Sequence, residues 1–96
     1  MRLIGRWLIN AEDDKAMLRF GRVKVEFYED GNLIYKIEGD EADQIIKLSY
    51  YVSGNKIVTT QPSAPKTEYT TFFFTETGSL LLEFDGLYCE FIRDNA

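Results

Sequence analysis

Glu38, Asp40, Glu41 and Asp43 crowd one short connection of the chain. Oxygen donors of this kind suit calcium, but their spacing lacks the ordered D-x-D-x-D-G loop of a strong site. A solvated turn whose charges discourage edge pairing is the expectation, with no metal and no cofactor. An acid pair for glycoside chemistry would have to face across a cleft, and the segments that read as interior carry almost no carboxylate. The 96 residues contain one cysteine, Cys89, and no histidine. The missing histidine removes Ser-His and Cys-His nucleophile pairs, the usual general base near neutral pH, and imidazole ligation of zinc or haem. Cys89 alternates with apolar residues and has no lysine beside it in the chain, so a buried thiol is expected rather than a nucleophile. Glycines stand singly at turns, which leaves no phosphate-cradling loop. No catalytic residue is assigned, and the chain is expected not to be an enzyme.

The elements that would position such groups have period two almost throughout. In RVKVEFYED, Val23, Val25 and Phe27 face one way while Lys24, Glu26 and Tyr28 face the other, the pattern of a strand with one buried side. NLIYKIEG sets Leu33, Tyr35 and Ile37 against Ile34, Lys36 and Glu38, after a tight turn at Asp30-Gly31-Asn32. Ile46, Leu48, Tyr50 and Val52 alternate up to a turn at Ser53-Gly54-Asn55, beyond which Ile57 and Thr59 continue. The prolines of QPSAPK mark a loop or strand edge, since proline cannot donate to a ladder. In TEYTTFFFTETG, Tyr69, Thr71 and Phe73 are placed on the inner face and Phe72 and Phe74 on the outer. Turns at Thr77-Gly78 and Asp85-Gly86 delimit a closing hairpin, and LIGRWLIN opens the chain with Leu3, Gly5, Trp7 and Ile9 on one side. Residues 12–20 read either as a turn or two of helix capped by Asp13 or Asp14, or as an irregular strand.

Eight short strands and no long amphipathic helix predict an all-β fold: one antiparallel up-and-down β-barrel spanning residues 1–96 as a single domain. Closure pairs the two edges of the sheet, and eight strands enclose an interior that side chains fill or that holds one small ligand. A chain of this length buries roughly 60 to 65% of its unfolded surface, enough for one core.

Net charge of −5 repels phosphate backbones and anionic membrane surfaces, so neither nucleic acid nor membrane is an expected partner. The basic set Lys15, Arg19, Arg22 and Lys24 is flanked by Glu12, Asp13, Asp14 and Glu26 and reads as self-neutralising surface. A lone thiol and the lack of a secretory or spanning segment read as soluble and cytoplasmic, although a signal removed before numbering began would not show.

Several motifs, in order, resemble the lipocalin superfamily and its small bacterial lipocalin-like domains. Gly5-Arg6-Trp7 is similar to the G-x-W motif of the first strand, Thr67-Glu68-Tyr69 to T-D-Y, and Arg93 to the late arginine. Phe27-Tyr28-Glu29-Asp30-Gly31-Asn32 and Tyr50-Tyr51-Val52-Ser53-Gly54-Asn55-Lys56-Ile57 resemble stretches favoured by the small bacterial members. The resemblance implies that Arg93 crosses the closed end of the barrel, stacks on Trp7 and bonds nearby carbonyls, with Gly5 counted in the same closure. It also explains a charge at Arg93, which shares strand parity with Leu87, Cys89 and Phe91. The R-x-Y grip of fatty-acid-binding relatives is missing, because Asp94 and Asn95 follow Arg93, so the resemblance supplies a fold and no ligand.

Phe27, Tyr50, Phe73, Phe84 and Phe91 share parity with apolar neighbours and are read first as barrel filling. The functional reading makes Phe27, Tyr35, Tyr50, Tyr69, Phe73 and Phe84 the wall of a pocket for one small apolar or amphipathic ligand, its hydroxyls orienting the guest. The alternative is a protein-interaction module, inhibitor- or immunity-like, with a filled barrel. It would dock a protein partner or form a homodimer through outward aromatics at Tyr51, Phe72, Phe74 and Tyr88.

Overall fold

Eight strands and one short helix succeed one another along residues 2–94, the part of the chain that the computed structural model describes. Met1, Asn95 and Ala96, included in the one-domain reading above, lie outside the described residues. The order is β1 (Gly5–Ile9), α1 (Asp14–Phe20), β2 (Val23–Phe27), β3 (Asn32–Ile37), β4 (Gln44–Ser53), β5 (Lys56–Gln61), β6 (Ala64–Phe74), β7 (Leu80–Phe84) and β8 (Leu87–Arg93). Each strand pairs antiparallel with the next, and β8 returns to β1, giving a closed up-and-down barrel as the alternation predicts. Closure leaves no unpaired edge, which removes the aggregation hazard of a sheet this apolar.

The period-two reading holds in detail on β2, where Val23, Val25 and Phe27 are buried and Lys24 and Glu26 are not. The β7–β8 turn is formed by Asp85 and Gly86, both at positive φ (52° and 84°), the backbone that a two-residue hairpin needs to match strand twist. Residues 12–20, left open above, contain a helix. The Asp13 side chain accepts from the Ala16 amide (3.3 Å), and Gly21 ends the helix by donating its N–H to the Met17 carbonyl (2.9 Å). Ala16 is buried and Met17 and Phe20 pack on the core, a three- and four-residue spacing that puts all three on one helix face. No helix among the described residues is long and apolar enough to cross a membrane.

One end of the barrel is sealed. Trp7 and Arg93 are direct cross-strand partners of β1 and β8, and the guanidinium carbon lies 3.9 Å from the indole centroid. Arg93 Nη1–H donates to the Ile4 carbonyl (2.7 Å) and Nη2–H to that of Arg2, while Trp7 Nε1–H donates to the Leu3 carbonyl (2.9 Å). A planar, weakly hydrated cation can cover an aromatic face and still satisfy carbonyls, which is how a charge occupies a core-parity position. Gly5 completes the arrangement at φ +123°, where a Cβ would stand 2.5 Å from Arg93 Nη1. Val25, Phe27, Leu33, Ile57, Leu80, Leu82 and Cys89 belong to the buried core that this seal closes.

The facing assigned to β6 is corrected. Tyr69 (67% exposed) and Phe73 (45%) are on the outside, whereas Phe72 and Phe74 turn inward and pack on the core, Phe74 6.2 Å from the Trp7 ring. Register explains this: Phe72 pairs with buried Leu82 and Thr70 with buried Ile57, so even-numbered residues of β6 face in. The pattern misleads because Lys66 and Glu68 have that same inward parity and look like surface residues. They are tolerated there because they stand at the open end, where water reaches both side chains (78% and 64% exposed).

Candidate functional site

The reversals β1–β2, β3–β4, β5–β6 and β7–β8 lie at the end opposite Arg93, and there the barrel is hollow. An apolar cavity of about 390 Å³ is walled by Ile9, Val23, Tyr35, Ile37, Ile46 and Leu48 from the first half of the chain. Thr59, Gln61, Lys66, Glu68, Phe84 and Phe91 complete the wall, and Phe20 of α1 closes one side. At this level β4 and β5 contribute Ile46, Leu48, Thr59 and Gln61, so no aromatic ring on their side faces the rings opposite. Those rings form one chain of edge and tilted contacts, Phe20 to Phe84 at 5.4 Å, Phe84 to Tyr35 at 6.2 Å and Phe84 to Phe91 at 6.5 Å. Arg19 steadies Phe20 from outside, with its guanidinium 5.5 Å from the ring centroid and 3.3 Å from the Asp85 carboxylate.

Polar groups are few and placed at different depths. Burial, and secondarily the Glu68 carboxylate, holds the Tyr35 hydroxyl far above its ordinary pKa, so it stays a neutral phenol at any physiological pH. Lys66 and Glu68 form an ion pair across 3.5 Å at the mouth. Among the described residues no group of three or more acidic or cysteine side chains is arranged to hold a metal ion. The wall can therefore bury an apolar body and offer hydrogen bonds and one carboxylate to a polar end.

Of the six aromatic residues singled out above, Tyr35 and Phe84 line the cavity. Phe27 is buried below it, against the edge of the Tyr50 ring (5.2 Å), and the Tyr50 hydroxyl donates to the Tyr28 carbonyl (2.9 Å). Both thus belong to the filled lower half, while Tyr69 and Phe73 are outside for the reason given. Sequence reasoning missed Phe20, Glu68 and Lys66. Ala16, Met17 and Phe20 at helical spacing carried the signal for the first, but the other two had none, since charges at strand ends ordinarily read as solvent-facing.

Lys24 meets Asp94 at 3.5 Å and Lys36 meets Asp43 at 3.4 Å, beside a polar outer depression of about 600 Å³ lined by Arg22, Lys24, Lys36, Glu38 and Asp43. Unlike the barrel cavity it is mostly polar, although Ile9 and Val23 border both.

Cys89 is fully buried, and desolvation, aided by the Asp13 carboxylate, pushes its thiol up to about 11 from 9.0. A raised thiol pKa favours the folded state while the unfolded thiol is still protonated, and that contribution is lost as pH rises from 9.0 through about 11. The urea midpoint should accordingly fall over this window and fall less steeply in Cys89→Ala; equal slopes would show that the thiol contributes nothing.

Compared with known proteins, the chain matches no family model, no curated protein and no solved structure.

Proposed function

We propose that this protein is a lipocalin-like, non-enzymatic binding protein that takes one compact apolar or amphipathic ligand into the open end of its barrel. The cavity of about 390 Å³ opposite the Trp7–Arg93 seal carries this reading. It falls in the range of about 300–1,000 Å³ usual for small-molecule sites, and its lining of many apolar and few polar groups is of the same kind. The lipocalin-like attribution is supported by the up-and-down strand order and by Gly5, Trp7 and Arg93 meeting at one end. A reducing, cytoplasmic setting belongs to the same reading, because a lone buried thiol fits it.

A ligand of about ten heavy atoms at roughly 0.7 kcal/mol per atom would bind with a Kd of about 10 μM. Titration with the neutral dye N-phenylnaphthylamine should give saturable fluorescence enhancement, reversed by small aromatic competitors. No enhancement, together with no upward shift of the melting temperature at millimolar competitor, would refute the proposal.

A second reading, docking of another copy of the chain, rests on the outer face of β4, β5 and β6. Tyr51 (62% exposed) and Tyr69 flank Val58, which is only 2% exposed although it points outward, and Phe73 and Tyr88 form a further outer pair at 5.9 Å. Light scattering decides it, since a dimer that Tyr69→Lys dissolves would support the reading and a concentration-independent monomer would end it.

A further inference from the structure

We infer that the cavity selects a compact hydrophobic amine, with a ring or branched alkyl body inside the barrel and its ammonium group against Glu68. This rests on the small-molecule reading above and names the ligand class. Of the residues lining the cavity, two are charged, Lys66 and Glu68. Both face inward on β6, which runs from the mouth toward the seal, so Lys66 stands nearer the rim and Glu68 one pleat deeper, roughly 6–7 Å along the strand. The Glu68 carboxylate is close enough to act electrostatically on the Tyr35 hydroxyl in the aromatic wall. The deeper charge is therefore negative, and the Tyr35 ring whose hydroxyl it acts on meets Phe84 edge-on at 6.2 Å.

That order of charges discriminates between ligand heads. An ammonium reaching Glu68 replaces the Lys66 ammonium, and Lys66, already 78% exposed, swings into water without leaving a buried charge unpaired. The same ammonium gains the negative faces of the neighbouring rings. A carboxylate on a compact body inside the barrel would lie at the depth of Glu68, beside a like charge, and would reach Lys66 only through a linker extending one pleat further toward the rim. A neutral head loses only the charge-assisted hydrogen bond. The net charge of −5 acts in the same direction on encounter.

The test is calorimetric titration of the full chain with three ligands sharing one body: phenethylamine, phenethyl alcohol and hydrocinnamate. The amine should bind about tenfold more tightly than the alcohol, and the carboxylate most weakly. Glu68→Gln should bring the affinity of the amine down to that of the alcohol, while Lys66→Gln should strengthen amine binding. Both side chains are largely exposed, so neither substitution removes a core contact. Alcohol binding that equals or exceeds amine binding, or a carboxylate preference, would overturn the inference and leave the cavity reading intact. Failure of all three ligands to bind would overturn both.

Discussion

Gly5→Ala should cost about 2–4 kcal/mol of unfolding free energy, a loss far larger than one added methyl group suggests. Part is backbone: φ at Gly5 is +123°, and holding an L-residue in such a region costs about 1–3 kcal/mol. The rest comes from Arg93. A Cβ standing 2.5 Å from Nη1 forces the guanidinium away from the indole it covers at 3.9 Å and from the Ile4 carbonyl. A desolvated cation–π contact contributes about 2 kcal/mol. Arg93→Met alone should cost about 2–3 kcal/mol by losing that contact and its charged hydrogen bonds. In the Arg93→Met background, Gly5→Ala should cost about 1–2 kcal/mol less than in the native chain, because the group it displaces is gone. Urea unfolding followed through Trp7, the single tryptophan, reads all four corners of this cycle. Strict additivity would mean that glycine serves only its own backbone and that the seal is not one unit.

The facing of β2 and β8 was legible in the residues, and the physics says why. At Val23, Val25 and Phe27, and again at Cys89 and Phe91, one face is wholly apolar and wholly buried, so alternation maps directly onto inside and outside. Arg93 broke that rule, and a resemblance was needed to read it; the geometry now gives the cause in the indole beneath it and the carbonyls around it. On β6 alternation failed. Tyr69 and Phe73 on one side and Phe72 and Phe74 on the other are equally apolar, and the facing is set by pairing with β5 and β7 rather than by composition. The hollow half was not legible either, because a void is a property of what fails to touch. Thr59, Gln61, Ile46 and Leu48 look like ordinary strand residues until Phe20, Tyr35 and Phe84 are placed opposite them.

The sign of a stability change distinguishes a hollow upper barrel from a filled one. Leu48→Trp adds a ring on the inner face of β4, on a strand where aromatic side chains are well tolerated. If the space is open, the indole takes up part of the cavity and should stabilise the protein by about 0.5–2 kcal/mol, the usual gain from filling a void. If side chains already occupy it, the same substitution overpacks the core and should cost about 1–3 kcal/mol. We expect the gain, accompanied by at least a tenfold loss in affinity for any ligand held in the cavity, equivalent to about 1.4 kcal/mol. A merely structural disturbance would weaken binding and stability together, whereas occupation of the site moves them in opposite directions. Tyr51→Ala on the outer face is the control and should leave ligand affinity unchanged, since Tyr51 points away from the cavity. A Leu48→Trp protein that is less stable and still binds the dye would place the ligand somewhere other than between Tyr35, Phe84 and Glu68.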